Sequence, residues 1–196
     1  RSLYFDTHNY QIFLEKIGGN ASRIKFRIRT YSDTIHEEPD IRVEMKLRQA
    51  NLTQKYGTYI SIADCQHFQQ FRHWKNHNDP ILQEFERQVH MRDLHPKILV
   101  EYLREGYQTK DRQGIRITFD HQIKSASSRS LFPQQIMWQN HYDPTIVLEI
   151  KHQEKLPDWL LKIIKQNGLR LVANSKFAFG IEKSRRDLIF AGWSNA

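Results

Sequence analysis

Charged and apolar residues alternate along several segments of the chain. Residues 23–29 read Arg-Ile-Lys-Phe-Arg-Ile-Arg. In an extended strand this order puts four cations on one face and three apolar side chains on the other. Alternation, together with runs of β-branched and aromatic residues between turn residues, predicts strands over 23–31, 41–48, 55–62, 98–105, 114–120 and 145–152.

Apolar residues at helical spacing occupy other parts of the chain. They predict helices over 9–16, 64–75, 81–91 and 157–168. The first helix has Asn9 as its expected cap, and the last begins at a proline and ends at a glycine. Strands and helices together make the chain α+β. Because no linker divides residues 1–196, we expect a single domain.

The separation of charge seen at 23–29 recurs in the predicted strands at 41–48, 114–120 and 145–152. In any one strand it is also the pattern of an ordinary half-buried sheet with a solvated outer face. Cations directly opposite one another on a sheet repel, so a face with this many of them is destabilised unless bound anions or carboxylates neutralise it. If the sheet curls, the charged face lines an antiparallel β-barrel. We therefore expect a barrel with a polar, basic interior and several helices packed outside.

The overall charge also indicates an anionic partner. Thirty Lys and Arg against twenty-two Asp and Glu give a formal net charge of +8, which attracts polyanions over a distance. The single cysteine excludes an internal disulfide framework and fits a reducing compartment, so we expect a cytoplasmic location. No apolar run approaches the roughly 20 residues of a membrane-spanning helix.

Arginine-rich strands are suited to phosphate, because the guanidinium group donates two parallel hydrogen bonds to phosphate oxygens. The sequence has no G-x-x-x-x-G-K-[ST] loop and no G-x-G-x-x-G after a strand. Side chains are therefore expected to hold the phosphates. Nucleic acid is not an expected partner, since Phe26 and Phe119 alternate away from the cations and offer no stacking platform beside them.

Seven short segments follow one another along the chain: 2–6 (SLYFD), 27–31 (RIRTY), 43–46 (VEMK), 102–104 (YLR), 116–120 (RITFD), 148–151 (LEIK) and 175–177 (SKF). In this order they resemble the VTC domain, the polyphosphate polymerase domain of vacuolar transporter chaperones and their bacterial relatives. That family belongs to the CYTH-like group of triphosphate tunnel metalloenzymes. The resemblance fits a stand-alone bacterial type of domain. It also implies that the family's first strand, which would precede Arg1, is missing from this sequence.

The resemblance implies that basic side chains grip a phosphate chain and that a carboxylate holds Mn²⁺ or Mg²⁺. The catalytic cations would be Arg27, Arg29, Lys46, Arg104, Arg116 and Lys176. The substrate-binding residues would be Lys25, Lys55, Tyr102 and Lys151. The metal ligand would be Glu149, with Glu44 as a secondary candidate. The structural alternative for Glu149 is an ion pair with a neighbouring cation. The structural alternative for Glu44 is to orient Lys46 or an arginine.

The implied activity is transfer of the γ-phosphoryl group of ATP to a growing polyphosphate chain. With water as nucleophile, the same residues would hydrolyse tripolyphosphate or a nucleoside triphosphate, so both activities stay open. A non-catalytic polyanion-binding module is a third hypothesis. The expected partners are ATP and inorganic polyphosphate, and the oligomeric state is not predicted.

The remaining polar residues have simpler interpretations. We expect Asp6 and Asp120 to accept hydrogen bonds from arginines or from backbone groups at strand ends. The ten histidines form no H-E-x-x-H motif and have no paired spacing with cysteine, so a zinc enzyme is not expected. Cys65 has no partners that would make it a nucleophile, and we expect an inert thiol.

Overall fold

The structure is a computed structural model that describes residues 1–35, 40–50, 52–75, 78–110, 114–141, 145–153 and 155–185. Its strands are β1 (Ser2–Asp6), β2 (Ser22–Thr30), β3 (Ile41–Gln49), β4 (Leu52–Ile60), β5 (His95–Gln108), β6 (Arg116–Ser127), β7 (Gln139–Asn140) and β8 (Val147–Lys151). Its helices are α1 (Gln11–Ile17), α2 (Ile62–Phe71), α3 (Pro80–Met91), α4 (Asp158–Gln166) and α5 (Lys176–Ser184). Among these described residues, no helix combines the length and apolar character needed to cross a membrane.

The eight strands form one antiparallel sheet in the order β4-β3-β2-β1-β5-β6-β7, and β8 pairs with β6. The expected barrel is not seen, because no pairing joins β4 to β7 or β8 within the described part of the chain. The sheet nevertheless bends strongly. Lys55 on β4 and Lys151 on β8 lie at opposite ends of the strand order and line the same cavity. The architecture is therefore an open, curved sheet instead of a closed tunnel.

The apolar face of the sheet carries the main core. Phe5 on β1 and Phe26 on β2 are buried, with ring centroids 5.5 and 5.7 Å from that of Phe85 on α3. Phe68 on α2 stacks at 3.9 Å against the buried Trp74, which follows that helix. Alternation along the strands turns the charged residues to the other face. Because alternation puts the apolar side chains of the strands on one face, α2 and α3 pack against that face.

Helix α5, which is not among the predicted helices, lies on the charged face of the sheet. Its Phe177 ring lies 5.3 Å from the ring of Tyr4, which stands directly opposite Arg27 on the neighbouring strand. A Cβ at Gly180 would lie 2.9 Å from Ile98 Cγ1 and 3.2 Å from Ser125 Cβ, so the helix approaches β5 and β6 closely. Sequence reasoning did not predict α5, because its buried residues span only Phe177 to Ile181, too short a stretch to establish a helical period.

The side chain of Asp6, and not that of the expected Asn9, caps the first turn of α1. The Asp6 carboxylate accepts hydrogen bonds from the backbone N–H groups of Thr7, Ile12 and Phe13 at 2.7, 2.8 and 3.0 Å. Burial nevertheless outweighs these bonds and raises the pKa of Asp6 to about 6. The expected structural role of Asp6 as a hydrogen-bond acceptor is confirmed, and the carboxylate ties the end of β1 to the helix that follows.

Candidate active site

The charged face of the curved sheet lines a cavity of about 670 Å³. This volume lies within the range of roughly 300–1,000 Å³ that is typical of ligand sites. Residues from strands β1 to β5 and β8, from α5 and from the segment before α5 contribute to the lining. The site residues predicted from the sequence that line it are Lys25, Arg27, Arg29, Glu44, Lys46, Lys55, Tyr102, Arg104, Glu149, Lys151 and Lys176.

Arg116 is the predicted site residue that the structure places outside this cavity. It is the exposed first residue of β6, opposite Gln108 on β5 and Lys151 on β8. Alternation gives it the same face as Thr118 and Asp120, but the cavity lining contains no described residue of β6. The structure therefore does not place Arg116 with the other predicted cations in this lining. A period of two identifies the face of a residue and not its distance from the centre of the sheet.

Glu44 lies at the centre of a group of four cations. Its carboxylate is 1% exposed and lies 2.5 Å from Arg27 Nε and 2.6 Å from Lys55 Nζ. Arg42 and Arg29 approach the same carboxylate at 3.6 and 3.8 Å. Burial alone would raise the pKa of Glu44, but the charge of Arg27 and the hydrogen bonds from Lys55 and Arg27 outweigh it and hold the pKa below its usual value. The geometry therefore favours an orienting role for Glu44 over metal binding.

A glycine on the neighbouring strand leaves room for this group. Gly57 on β4 stands directly opposite Glu44 on β3. A Cβ at Gly57 would lie 2.9 Å from Arg42 Nε, 3.0 Å from the Val43 carbonyl oxygen and 3.1 Å from Glu44 Cγ. Any larger residue would displace the carboxylate or its partners. Sequence reasoning passed over Gly57, although a glycine within a strand can signal close approach by a neighbour.

A second buried carboxylate organises the other side of the cavity. Asp120 on β6 accepts two hydrogen bonds from Arg104, at 2.6 and 2.8 Å, and lies 2.5 Å from Lys176 Nζ. Burial raises the pKa of Asp120, but hydrogen bonds from Arg104 and Lys176 outweigh it and lower that pKa. The expectation that Asp120 is a structural acceptor is confirmed. Because Lys176 is the first residue of α5, this ion pair also fixes the helix against the sheet.

Two tyrosines complete the inner wall. Tyr102 lies between Arg104 and Lys176, whose charged groups are 5.2 and 4.8 Å from its ring centre. Tyr4 accepts a hydrogen bond from Arg27 Nη1 at 3.0 Å. Sequence reasoning did not select Tyr4 as a site residue. The signal was available in the segment 2–6, where Tyr4 shares the strand face of the buried Asp6.

Three lysines form a row across the sheet. Lys25 on β2 stands opposite Lys46 on β3, which in turn stands opposite Lys55 on β4. Burial, followed by the charges of Lys46 and other cations, lowers the pKa of Lys25 to about 7. The ammonium group donates to Ser175 Oγ at 2.9 Å. This row thus concentrates positive charge where a bound anion would relieve the repulsion.

Glu149 on β8 is the lining carboxylate that solvent reaches most easily. Its side chain is 41% exposed, against 1% for Glu44, and its contacts with Arg104 and Lys151 are long, at 3.4 and 3.3 Å. No group of three or more His, Cys, Asp or Glu side chains is arranged to hold a metal within the described residues. A single accessible carboxylate still fits Mg²⁺ or Mn²⁺, because such ions take one or two protein carboxylates and complete their shell with phosphate oxygens and water.

The comparison with known proteins agrees with the geometry of the site. A model of the VTC domain family matches residues 1–185. A search of curated proteins finds no match. The matched residues include the whole of the cavity and both buried carboxylate networks. The chain therefore belongs to the VTC domain family, which is associated with polyphosphate metabolism.

Proposed function

We propose that this protein is a metal-dependent polyphosphate polymerase, which transfers the γ-phosphoryl group of ATP to the end of a polyphosphate chain. The observation that carries the proposal is the lining of the large cavity, which contains eight Lys and Arg residues and two carboxylates. Such an excess of positive charge in one concave site matches a ligand with several adjacent negative charges. ATP and inorganic polyphosphate share that property, and family membership supports the choice.

The buried carboxylates support catalysis by holding the cations in place. Glu44 orders Arg27 and Lys55, and Asp120 orders Arg104 and Lys176. Cations fixed before the substrate binds lose little freedom when charge develops on the transferring phosphoryl group. Phosphoryl transfer needs little covalent chemistry from the protein, so in-line positioning and charge neutralisation provide most of the acceleration. The nucleophile is itself a phosphate anion, and a general base is not required.

Glu149 is the residue proposed to hold Mn²⁺ or Mg²⁺, together with oxygens of the bound phosphates. The metal would supply positive charge for the β- and γ-phosphate oxygens. Glu149 is suited to this role because its carboxylate is accessible and only loosely paired. Its neighbours Arg104 and Lys151 would turn towards the phosphates when the carboxylate is engaged.

The test is to incubate the full chain with ATP and Mn²⁺, with and without a short polyphosphate primer, and to separate the products on a gel. Long-chain polyphosphate is the expected product. Orthophosphate alone under both conditions would replace the proposal with a tunnel-type hydrolase. Binding of ATP without any turnover would replace it with a polyanion-binding module.

A site variant makes this assay specific. Lys46→Gln removes a lining cation for which the described residues show no ion pair, so its effect is not confused with the loss of a buried network. The matched control is Lys162→Gln on the exposed side of α4. We expect chain synthesis to fall about tenfold or more in the first variant, as for removal of one charge-assisted hydrogen bond. The control is expected to retain synthesis, and equal activity of the two variants would contradict the assignment of the cavity.

A further inference from the structure

The large cavity continues into a smaller one of about 160 Å³. The two cavities share Lys25, Lys46, Thr53, Asn174 and Ser175. The smaller one adds Lys16 from the last turn of α1, Arg23 from the start of β2 and Arg48 from the end of β3. We call Lys16, Arg23 and Arg48 the basic mouth. None of these three residues belongs to the predicted catalytic or substrate-binding set.

Two arginines of the basic mouth, Arg23 and Arg48, face each other, and the part of the chain that the structure describes shows no ion pair for either. Arg23 stands directly opposite Arg48, two residues along the strands from the pair of Lys25 and Lys46. Each arginine donates to a neutral backbone carbonyl: Arg23 to that of Asn20 at 2.6 Å, and Arg48 to that of Ala50 at 3.0 Å. These bonds orient the guanidinium groups but leave their charge uncompensated. Like charges directly opposite on a sheet are destabilising, and a bound anion would remove that cost.

The distribution of carboxylates distinguishes the mouth from the rest of the site. Glu44 and Asp120 each bind two or more cations beside the large cavity. Among the described residues, the lining of the smaller cavity contains five basic residues and no carboxylate. Carboxylates thus offset part of the positive charge at the inner end, and no carboxylate of the described lining offsets it at the mouth.

We propose that the basic mouth binds the part of a linear polyphosphate chain that extends beyond the large cavity. This proposal rests on the proposed function, since it takes the large cavity as the place where the chain end and the nucleotide meet. It gives the chain a direction: the reacting end lies near Arg104 and Glu149, and the remainder leaves past Arg23 and Arg48. The mouth then adds affinity only for chains too long for the large cavity to contain.

The experiment measures equilibrium binding to the full chain without ATP or metal, using tripolyphosphate and a long-chain inorganic polyphosphate as probes. The test variant is Arg23→Gln/Arg48→Gln. The matched control is Arg87→Gln/Arg92→Gln, which removes two exposed arginines, one in α3 and one directly after it.

In the test variant we expect affinity for the long chain to fall about tenfold or more, as for removal of two charge-assisted hydrogen bonds. Affinity for tripolyphosphate should stay within about twofold, because screening weakens charges outside its site. Both affinities should be unchanged in the control variant, Arg87→Gln/Arg92→Gln.

A conservative variant separates loss of charge from loss of structure. Arg23→Lys/Arg48→Lys keeps both charges, and it should retain most of the affinity for the long chain. Equal losses for the two probes in the glutamine variant, or an unchanged affinity for the long chain, would overturn the proposal. Binding of a single-stranded oligonucleotide as tightly as polyphosphate, with the same loss in the variant, would replace polyphosphate with nucleic acid as the ligand of the mouth.

The outcome is independent of the catalytic test. If ATP yields no polyphosphate while the variant still loses its preference for long chains, the proposed polymerase fails and the chain-binding mouth stands. If ATP yields polyphosphate of unchanged length and the variant keeps its preference for long chains, the polymerase stands and the mouth fails.

Discussion

Glu44 and Glu149 are the same residue type in the same cavity, yet their surroundings differ in almost every respect. Glu44 on β3 is 1% exposed and lies within 4 Å of four cations. Glu149 on β8, at the other end of the strand order, is 41% exposed and makes two contacts longer than 3.2 Å. The first carboxylate is closely surrounded by cations of the protein. The second still has room for a ligand that the protein does not supply.

The difference shows how one basic site can use carboxylates for two tasks. A buried carboxylate among cations offsets their repulsion and fixes their positions before any substrate arrives. It is poorly placed to hold a metal as well, because the cations around it, Arg27 and Lys55 among them, would repel the metal ion. An accessible carboxylate contributes little to stability, since exposed ion pairs are weak, but it remains available for Mn²⁺ or Mg²⁺. The comparison therefore predicts different effects for a Glu→Gln substitution at the two positions: mainly a loss of turnover at Glu149 and a loss of stability at Glu44.

Glu149→Gln should lower metal-dependent turnover by about 10²-fold or more, the scale of losing one group that stabilises transition-state charge. The free energy of unfolding should change by less than about 0.5 kcal/mol, because the contacts of Glu149 are long and partly solvated. Turnover with Mn²⁺ and urea denaturation measure the two effects. Glu105→Gln, on the opposite face of the sheet and 58% exposed, is the matched control. Retained turnover together with a marked loss of stability would reverse the roles of the two carboxylates.

Glu44→Gln should destabilise the fold by about 2–3 kcal/mol, somewhat less than the ~3–5 kcal/mol for breaking a fully buried pair, because the surrounding cations keep partial contact with water. The substitution preserves volume and removes the charge that holds Arg27 and Lys55 together. Glu84→Gln on α3 removes the carboxylate of an exposed pair with Arg87, and should cost about 0.5 kcal/mol or less. Similar losses in the two variants, measured by urea denaturation, would show that the Glu44 group is not structural.

Gly57→Ala tests the same group without altering any charge. The added Cβ meets Arg42, Val43 and Glu44 at 2.9–3.1 Å, so we expect a loss of about 1–2 kcal/mol from overpacking. Gly106→Ala on β5 is the control, since the nearest atom to its new Cβ is Thr118 Cγ2 at an ordinary 3.8 Å. That substitution should be neutral or slightly stabilising. Equal thermal denaturation midpoints for the two variants would mean that the Glu44 group can shift at no cost.

The sequence predicted the charged face well because strand alternation is a strictly local property. Four cations at 23–29 required only an extended backbone to share a face, and the structure shows that they do. The same locality explains the errors. Whether the sheet closes depends on the pairing of β4 with a distant strand, and whether Arg116 lines the cavity depends on the tertiary arrangement of β6 and β8. Strand alternation predicts neither of these properties.

The roles of the carboxylates could be predicted only in part for a related reason. Sequence reasoning identified Asp120 as an acceptor and left Glu44 undecided between metal binding and orientation. The choice depends on Lys55, which reaches Glu44 from a diagonal position on the next strand, and on Arg42, two residues earlier on the same strand. Tyr4 and α5 were missed because their importance comes from packing across the charged face. Contacts of this kind are tertiary, and a single sequence gives no measure of them.

The smallest expected effect concerns Lys25, which lines both the large cavity and the smaller one. Burial and the charge of Lys46 lower the pKa of Lys25 to about 7 in the free protein. A bound polyanion favours the charged form of the lysine and raises that pKa, so binding near pH 7–8 takes up a proton. Affinity for tripolyphosphate should therefore fall as the pH rises through 7. We expect a decrease of about five- to tenfold between pH 6.5 and 9, the scale of one charge-assisted hydrogen bond that deprotonation removes.

Proton uptake by Lys25 can be separated from other pH effects by a variant that stays charged. Titration calorimetry in two buffers of different ionisation enthalpy measures the uptake directly. Lys25→Arg keeps its charge throughout this pH range and should show a flatter affinity profile, with the protonation of the ligand itself as the remaining contribution. Parallel profiles for the two proteins would mean that Lys25 stays protonated in the free cavity, and that the repulsion along the lysine row is weaker than its geometry indicates.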